Sequence, residues 1–126
     1  MQTDSLGTEM ILEVALLNVR SGESAAFEHA FARAQTIISS MSGYISHQLL
    51  HCLDAPDKYV LLVKWQRLED HTVGFRQSQQ YQEWKQLLHH FYDPLPTVEH
   101  YALVFEGGAQ QGAPTDESFA VRAPRR

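Results

Sequence analysis

Two strand-length runs in this chain are apolar on both faces, and a sheet built from them must be covered on both sides. Residues 10–19 read MILEVALLNV and residues 59–65 read YVLLVKW. Only Glu13 interrupts the first run. Continuous apolar runs of this length mark buried strands, whereas a half-exposed strand alternates. In the first run Ile11, Glu13, Ala15, Leu17 and Val19 share one face; Leu12, Val14, Leu16 and Asn18 share the other.

Between and after these runs the periodicity changes. Arg20, Ser21 and Gly22 read as a turn, with Ser21 the expected N-cap of a helix. Phe27, Ala30, Phe31, Ala34, Ile37 or Ile38, and Met41 then recur at three- and four-residue steps, one face of a helix reaching about Ser39. Ser42 and Gly43 stop it. Residues 44–53 (YISHQLLHCL) return to period two, with His47, Leu49 and His51 on one face. Residues 54–58 (DAPDK) form a turn, so residues 44–65 read as a hairpin. A short helical piece at 71–77 precedes a longer one at 79–91, where Tyr81, Trp84, Leu87, Leu88 and Phe91 share a face. Pro94 and Pro96 end it. Residues 97–106 alternate as a last strand. Residues 1–9 read as a loose leader. Residues 107–126, rich in Gly, Ala, Pro and Gln, are expected to lack fixed structure unless a partner chain orders them.

The order is strand, helix, strand, strand, helix, strand, the ferredoxin-like β-α-β-β-α-β pattern of an α+β domain at residues 10–106. Two helices cover one face of an antiparallel sheet. The other face stays apolar, and a second copy of the chain is the simplest cover for it.

Several function classes are disfavoured. The formal net charge is −5, and no basic stripe with interleaved aromatics appears, which argues against nucleic acid and anionic membranes. The only basic cluster, Arg122, Arg125 and Arg126, sits at the end of the chain. No apolar run approaches the roughly 18 to 20 residues that span a bilayer, and the first nine residues are polar, so no signal peptide is expected. Cys52 is the single cysteine, which rules out an internal disulfide. A cytoplasmic location fits these features. His47 and His51 lie about 13 Å apart along a strand, too far to share a metal ion, while His89 and His90 point in different directions. No zinc motif, GxSxG, P-loop or GxGxxG is present.

The segment after the third strand is the most specific. VLLVKW is followed by RLEDHTVGFRQSQQYQEWKQL: a strand ending in Trp, a short acidic link, a short helical piece and an aromatic–polar–Ser–aromatic run. This resembles the antibiotic biosynthesis monooxygenase domain, a member of the dimeric α+β barrel superfamily, over about residues 10–105. The resemblance implies a homodimer with a cavity in each subunit between sheet and helices. It also implies a reaction in which a deprotonated phenol or anthrol donates an electron to O2 with neither metal nor flavin. In the polyketide-oxidising branch an Asn, a Trp and a Tyr mark the pocket. They fall here on Leu61, Trp65 and His71, so the Trp is kept, the Asn is lost and the Tyr is replaced by a polar ring. In the haem-degrading branch the corresponding positions fall near Ala15, Phe75 and Lys85, and none is kept; His89 or His90 would be the iron ligand in a shifted register.

The first expectation is therefore a cofactor-independent monooxygenase of a small electron-rich aromatic, a quinol or polyketide-like phenol. Trp65, Phe75, Leu61 and Trp84 are the expected substrate-binding residues. His71 and His100 are the expected proton acceptors, since histidine titrates near neutral pH and His100 alternates with Val98 and Ala102 on one strand face. Tyr92 is expected to hold the oxygen substituent. The alternatives are a non-catalytic dimer of the same fold that holds a small ligand or haem, and a structural or regulatory dimer with a filled cavity.

Overall fold

The computed structural model describes residues 10–110; the expectations for residues 1–9 and 111–126 lie outside the described residues. Four strands, β1 (Ile11–Asn18), β2 (Tyr44–His51), β3 (Lys58–Trp65) and β4 (Thr97–Ala102), form one antiparallel sheet in the order β2-β3-β1-β4. Helix α1 (Ser24–Ile38) crosses from β1 to β2. A π-helical turn (Asp70–Phe75), helix α2 (Gln79–Leu88) and a 3-10 turn (His89–Phe91) lead from β3 to β4. The two apolar runs became the central strands, where both edges are paired and both faces are apolar.

Three boundaries differ from the sequence reading. Helix α1 starts at Ser24, and Ser21 lies in the preceding turn. Its Ser24 hydroxyl donates to Asp57 Oδ1 at 3.0 Å, so that hydroxyl ties the helix start to the β2–β3 hairpin. The second strand ends at His51, because the Cys52 N–H already closes the hairpin on the Lys58 carbonyl at 2.8 Å. The last strand ends at Ala102. Among the described residues its one sheet neighbour, β1, begins at Ile11, opposite Ala102. Beyond that point Leu103, Val104 and Phe105 run on exposed and outside the sheet.

The core lies between the sheet and the helices. Helix α1 buries Phe27, Phe31, Ala34 and Ile38, one stripe at helical spacing. Phe27 is the hub: its ring meets Tyr59 at 5.0 Å, and Phe91 and Tyr92 at 5.8 Å each. Helix α2 is capped by Ser78, whose hydroxyl accepts the Tyr81 N–H at 3.1 Å, and it buries Trp84 and Leu88. The opposite sheet face carries Leu12, Val14 and Leu16 of β1, Val60 and Leu62 of β3, and Leu50 of β2; Leu16 and Leu50 are 41% and 45% exposed.

Truncating the hub tests this arrangement. Phe27→Ala removes a fully buried ring touching both layers and should cost about 3–5 kcal/mol in urea unfolding. A loss below about 1 kcal/mol would mean that the ring does not join sheet to helices.

Candidate active site

Glu13, the third residue of the central strand β1, lies on the covered sheet face. Its cross-strand neighbours are Val63 on β3 and His100 on β4. The residue is only 5% exposed. A buried carboxyl needs partners, and it has them. The Trp65 indole N–H donates to Glu13 Oε1 at 2.9 Å. His71 Nε2 approaches the same oxygen at 3.4 Å, longer than an ordinary hydrogen bond.

The π-helical turn delivers His71. Asp70 accepts the Arg67 N–H at 3.1 Å and so fastens the turn's start. The Asp70 carboxyl also occupies the space that a Cβ on Gly43 would need; Gly43 has φ +87, so glycine is required there for both conformation and room. Held this way, the His71 ring stacks on Trp65, with centroids 5.4 Å apart and planes 22° apart. His71 Nδ1 lies 2.9 Å from His100 Nε2. The two histidines singled out in the sequence, 29 residues apart, are thus brought into direct contact.

Burial moves each of these groups away from its ordinary pKa. Desolvation raises the Glu13 carboxyl from 4.5 to about 7, although the Trp65 hydrogen bond and the Arg76 charge pull it down. Desolvation, with the Arg76 charge and His100, lowers His71 to about 3. His100 is also lowered, by burial and by Arg76. Both histidines are therefore neutral at pH 7, and the group that titrates at neutral pH is the carboxyl. Burial among apolar rings, with the Arg76 charge adding to it, disfavours a charged His71 ring.

A cavity opens beside this cluster. Its volume is about 50 Å3, or about 430 Å3 when the gaps between lining atoms and the open mouth are counted. Leu61, Phe75 and Trp84 supply apolar wall, while Glu13, His71, Arg76 and Tyr92 supply polar groups. Tyr92 is buried and its phenol is pushed up by desolvation; among the described residues its hydroxyl has no hydrogen-bond partner. Two expected site residues stand one layer back. Trp65 lies behind His71 and contacts Glu13, and His100 reaches the cavity through His71.

Glu13 and Arg76 were missed as site residues. The signal for Glu13 was present, as the only charge in a strand otherwise apolar on its covered face. Arg76 carried none, because an exposed Arg after a helical turn is ordinary. Haem does not fit the residues present. His89 lines the cavity, but the volume is a fraction of the ~150 Å3 that benzene fills in an apolar protein cavity. The Lys85 ammonium lies over the Tyr81 ring at 5.3 Å. His90 packs beside Phe91 at 4.2 Å. Among the described residues no three His, Cys, Asp or Glu side chains are grouped to hold a metal ion.

The raised carboxyl has a stability consequence. An acid whose folded pKa lies above its unfolded value stabilises the fold fully below the unfolded pKa, and that stability is lost as pH rises through the folded value. For Glu13 the window runs from about 4.5 to about 7, worth about 3 kcal/mol at ~1.4 kcal/mol per pH unit. His71 acts in the opposite sense, losing stability as pH falls from 6.5 toward 3. Glu13→Gln removes the first contribution and keeps the second. The variant's Tm should exceed the parent's at pH 8, with the gap closing toward pH 5; an equal gap at both would contradict the raised carboxyl.

Comparison with known proteins agrees with this architecture. The family model described as antibiotic biosynthesis monooxygenase matches residues 10–87. The Bacillus subtilis (strain 168) protein YczJ, itself uncharacterised, is 55% identical over 92 residues, which cover 73% of this chain and 97% of YczJ. A crystal structure of a proposed antibiotic biosynthesis monooxygenase from Bordetella bronchiseptica is 34% identical, covers 77% of this chain and 99% of its own, and superposes with a TM-score of 0.74. SnoaB, a cofactor-independent oxygenase from Streptomyces nogalater, shares the fold at 22% identity and a TM-score of 0.58, over 81% of this chain and 98% of its own. The ferredoxin-like sheet, the covered face that holds the site and the match over most of the domain lead to one conclusion: this chain belongs to the antibiotic biosynthesis monooxygenase family.

Proposed function

We propose that the protein is a cofactor-independent monooxygenase that oxidises a small electron-rich aromatic, a quinol or polyketide-like phenol, with O2. The observation that carries this reading is the linked Glu13–His71–His100 cluster on the wall of a largely apolar cavity. A phenol must lose a proton before it gives up an electron to O2, and a buried acceptor beside the cavity meets that need. The electrons come from the substrate: a quinol plus O2 gives a hydroxyquinone and water, with one oxygen atom in each product. In this reading Phe75, Leu61 and Trp84 flank the ring, the reacting hydroxyl faces Glu13 and His71, and the Tyr92 hydroxyl donates to the oxygen substituent as charge develops there. SnoaB, on the same fold, is a cofactor-independent oxygenase, which supports the reaction class.

The cavity volume is smaller than an aromatic ring requires, so substrate entry displaces side chains at the mouth. Tyr81 and His89, both half-buried and in edge contact at 6.3 Å, are the movable pair. The small volume also favours a second reading, a dimer that holds a small ligand without turning it over.

We also infer a homodimer through the open sheet face. Leu12, Val14, Leu16, Leu50, Val60 and Leu62 form a contiguous apolar surface that monomers rarely leave to water.

Oxygen uptake by the metal-free protein with a panel of quinols and anthrols tests the activity. Saturable uptake above autoxidation is expected with at least one substrate, and His71→Ala and His100→Ala should each lower it by ten-fold or more. Uptake no faster than autoxidation throughout the panel would turn the argument to the ligand-holding dimer. For assembly, Leu62→Arg should convert a dimer to a monomer in sedimentation velocity; a parent protein that is already monomeric refutes the sheet-face interface.

A further inference from the structure

The cluster contains more than the two histidines that the proposed reaction calls for. Glu13 Oε1 takes both neighbours, the Trp65 N–H and His71. Among the described residues its other oxygen has no partner, yet the residue lines the cavity. A carboxyl buried to this degree normally has both oxygens satisfied. From Oε1 a continuous line of ring nitrogens leads outward: His71 Nε2, His71 Nδ1, then His100 Nε2 at 2.9 Å. His100 is half-buried, the most exposed member of the line.

We propose, on top of the oxygenase reading, that Glu13 is the group that takes the substrate's proton, through its unpartnered oxygen, and that His71 and His100 pass that proton to solvent. With Glu13 ionised, His71 donates from Nε2 to Oε1 and accepts at Nδ1 from His100 Nε2–H, leaving His100 Nδ1 bare. The substrate's proton lands on the other carboxyl oxygen and stays there while both rings keep these tautomers. To send it outward the carboxyl turns its hydrogen toward His71 and each ring moves its own hydrogen from Nε2 to Nδ1, so that the hydroxyl donates to His71 Nε2 and His71 Nδ1–H donates to His100 Nε2. Loss of the His100 Nδ1 hydrogen to solvent, with each proton moving one place outward, then restores the ionised state. Neither histidine is cationic in either resting state, which matches the burial that disfavours charge on both rings. The 3.4 Å gap at Glu13 is the loosest link, and catalytic hydrogen bonds of this kind commonly tighten when substrate expels water.

The charged and titratable groups facing Glu13 are His71 and Arg76 from the π-helical turn and its end, His100 from β4, and Tyr81, His89 and Tyr92 across the cavity. Arg76 is the permanent cation among them. It steadies the ionised carboxylate and holds down both histidines. The carboxyl is accordingly the member placed to titrate near neutral pH.

Two measurements test this, the first needing no turnover. Infrared difference spectra between the full-length parent and Glu13→Gln, taken over pH 5 to 9, should show a protonated-carboxyl band that disappears with a midpoint near 7. A band already gone by pH 5 overturns the proposal, whatever the enzyme oxidises. The second uses the substrate that the uptake panel identifies, with 1,4-hydroquinone as the starting probe. Glu13→Gln, which keeps an oxygen for the Trp65 N–H, should lose 100-fold or more of kcat/KM. The acid limb of the pH profile should vanish with it and return in Glu13→Asp. His100→Ala should lower kcat while keeping that limb. A Glu13→Gln enzyme that keeps both rate and limb overturns the proposal and leaves the oxygenase reading intact. If no substrate is oxidised, that reading fails, and the infrared titration still decides Glu13.

Discussion

The site depends on one costly placement, a carboxyl buried in the middle of a sheet. Glu13 has the Trp65 N–H and a neutral His71 as its close partners, with the Arg76 charge at longer range. Burying an acid without a full counter-ion keeps its proton on until neutral pH. Everything nearby serves that placement. Trp65 ends β3 because its indole must reach across to β1, and His71 stacks on Trp65 because the π-helical turn holds it there. Gly43 has no side chain, which leaves Asp70 the space from which it fastens that turn. Such a cluster lowers stability at the pH where it is ionised, and costs of this kind persist where a site uses them.

The fold supplies the rigidity this needs. The central strands β1 and β3 carry Glu13 and Trp65 in register, as Ile11 opposite Trp65 and Glu13 opposite Val63. Backbone pairing on both sides fixes the carboxyl and the indole. His71, from the π-helical turn, rests on the same Trp65 plate. The helices close over the sheet through the Phe27 hub, and Phe75, Trp84 and Tyr92 surround the cavity left beside Glu13.

Much of this was legible in the sequence, and the exceptions have physical reasons. Periodicity revealed the four strands and two helices because each buries one stripe or face, and the double-faced apolar runs identified the central strands. His71, Phe75 and Tyr92, expected at the pocket, line one cavity, and His100 stands one layer back against His71. The boundary errors came from tertiary contacts: Ser24 engages Asp57, and β4 stops where its neighbour β1 begins. The pKa shifts had no signal in the sequence, because a pKa is a property of surroundings: burial lowers His71 and His100 and raises Glu13. Glu13 was visible as an interruption and was passed over, since one charge in a strand carries no label of its depth.

The central claim is that this cavity oxygenates a phenolic ring with no cofactor beyond the chain's own residues. The most direct measurement is mass spectrometry of the product formed under 18O2 by protein treated with a strong chelator. The account predicts one labelled oxygen atom per product molecule, at a yield that chelation does not change. Product without label, or label lost after chelation, would contradict it.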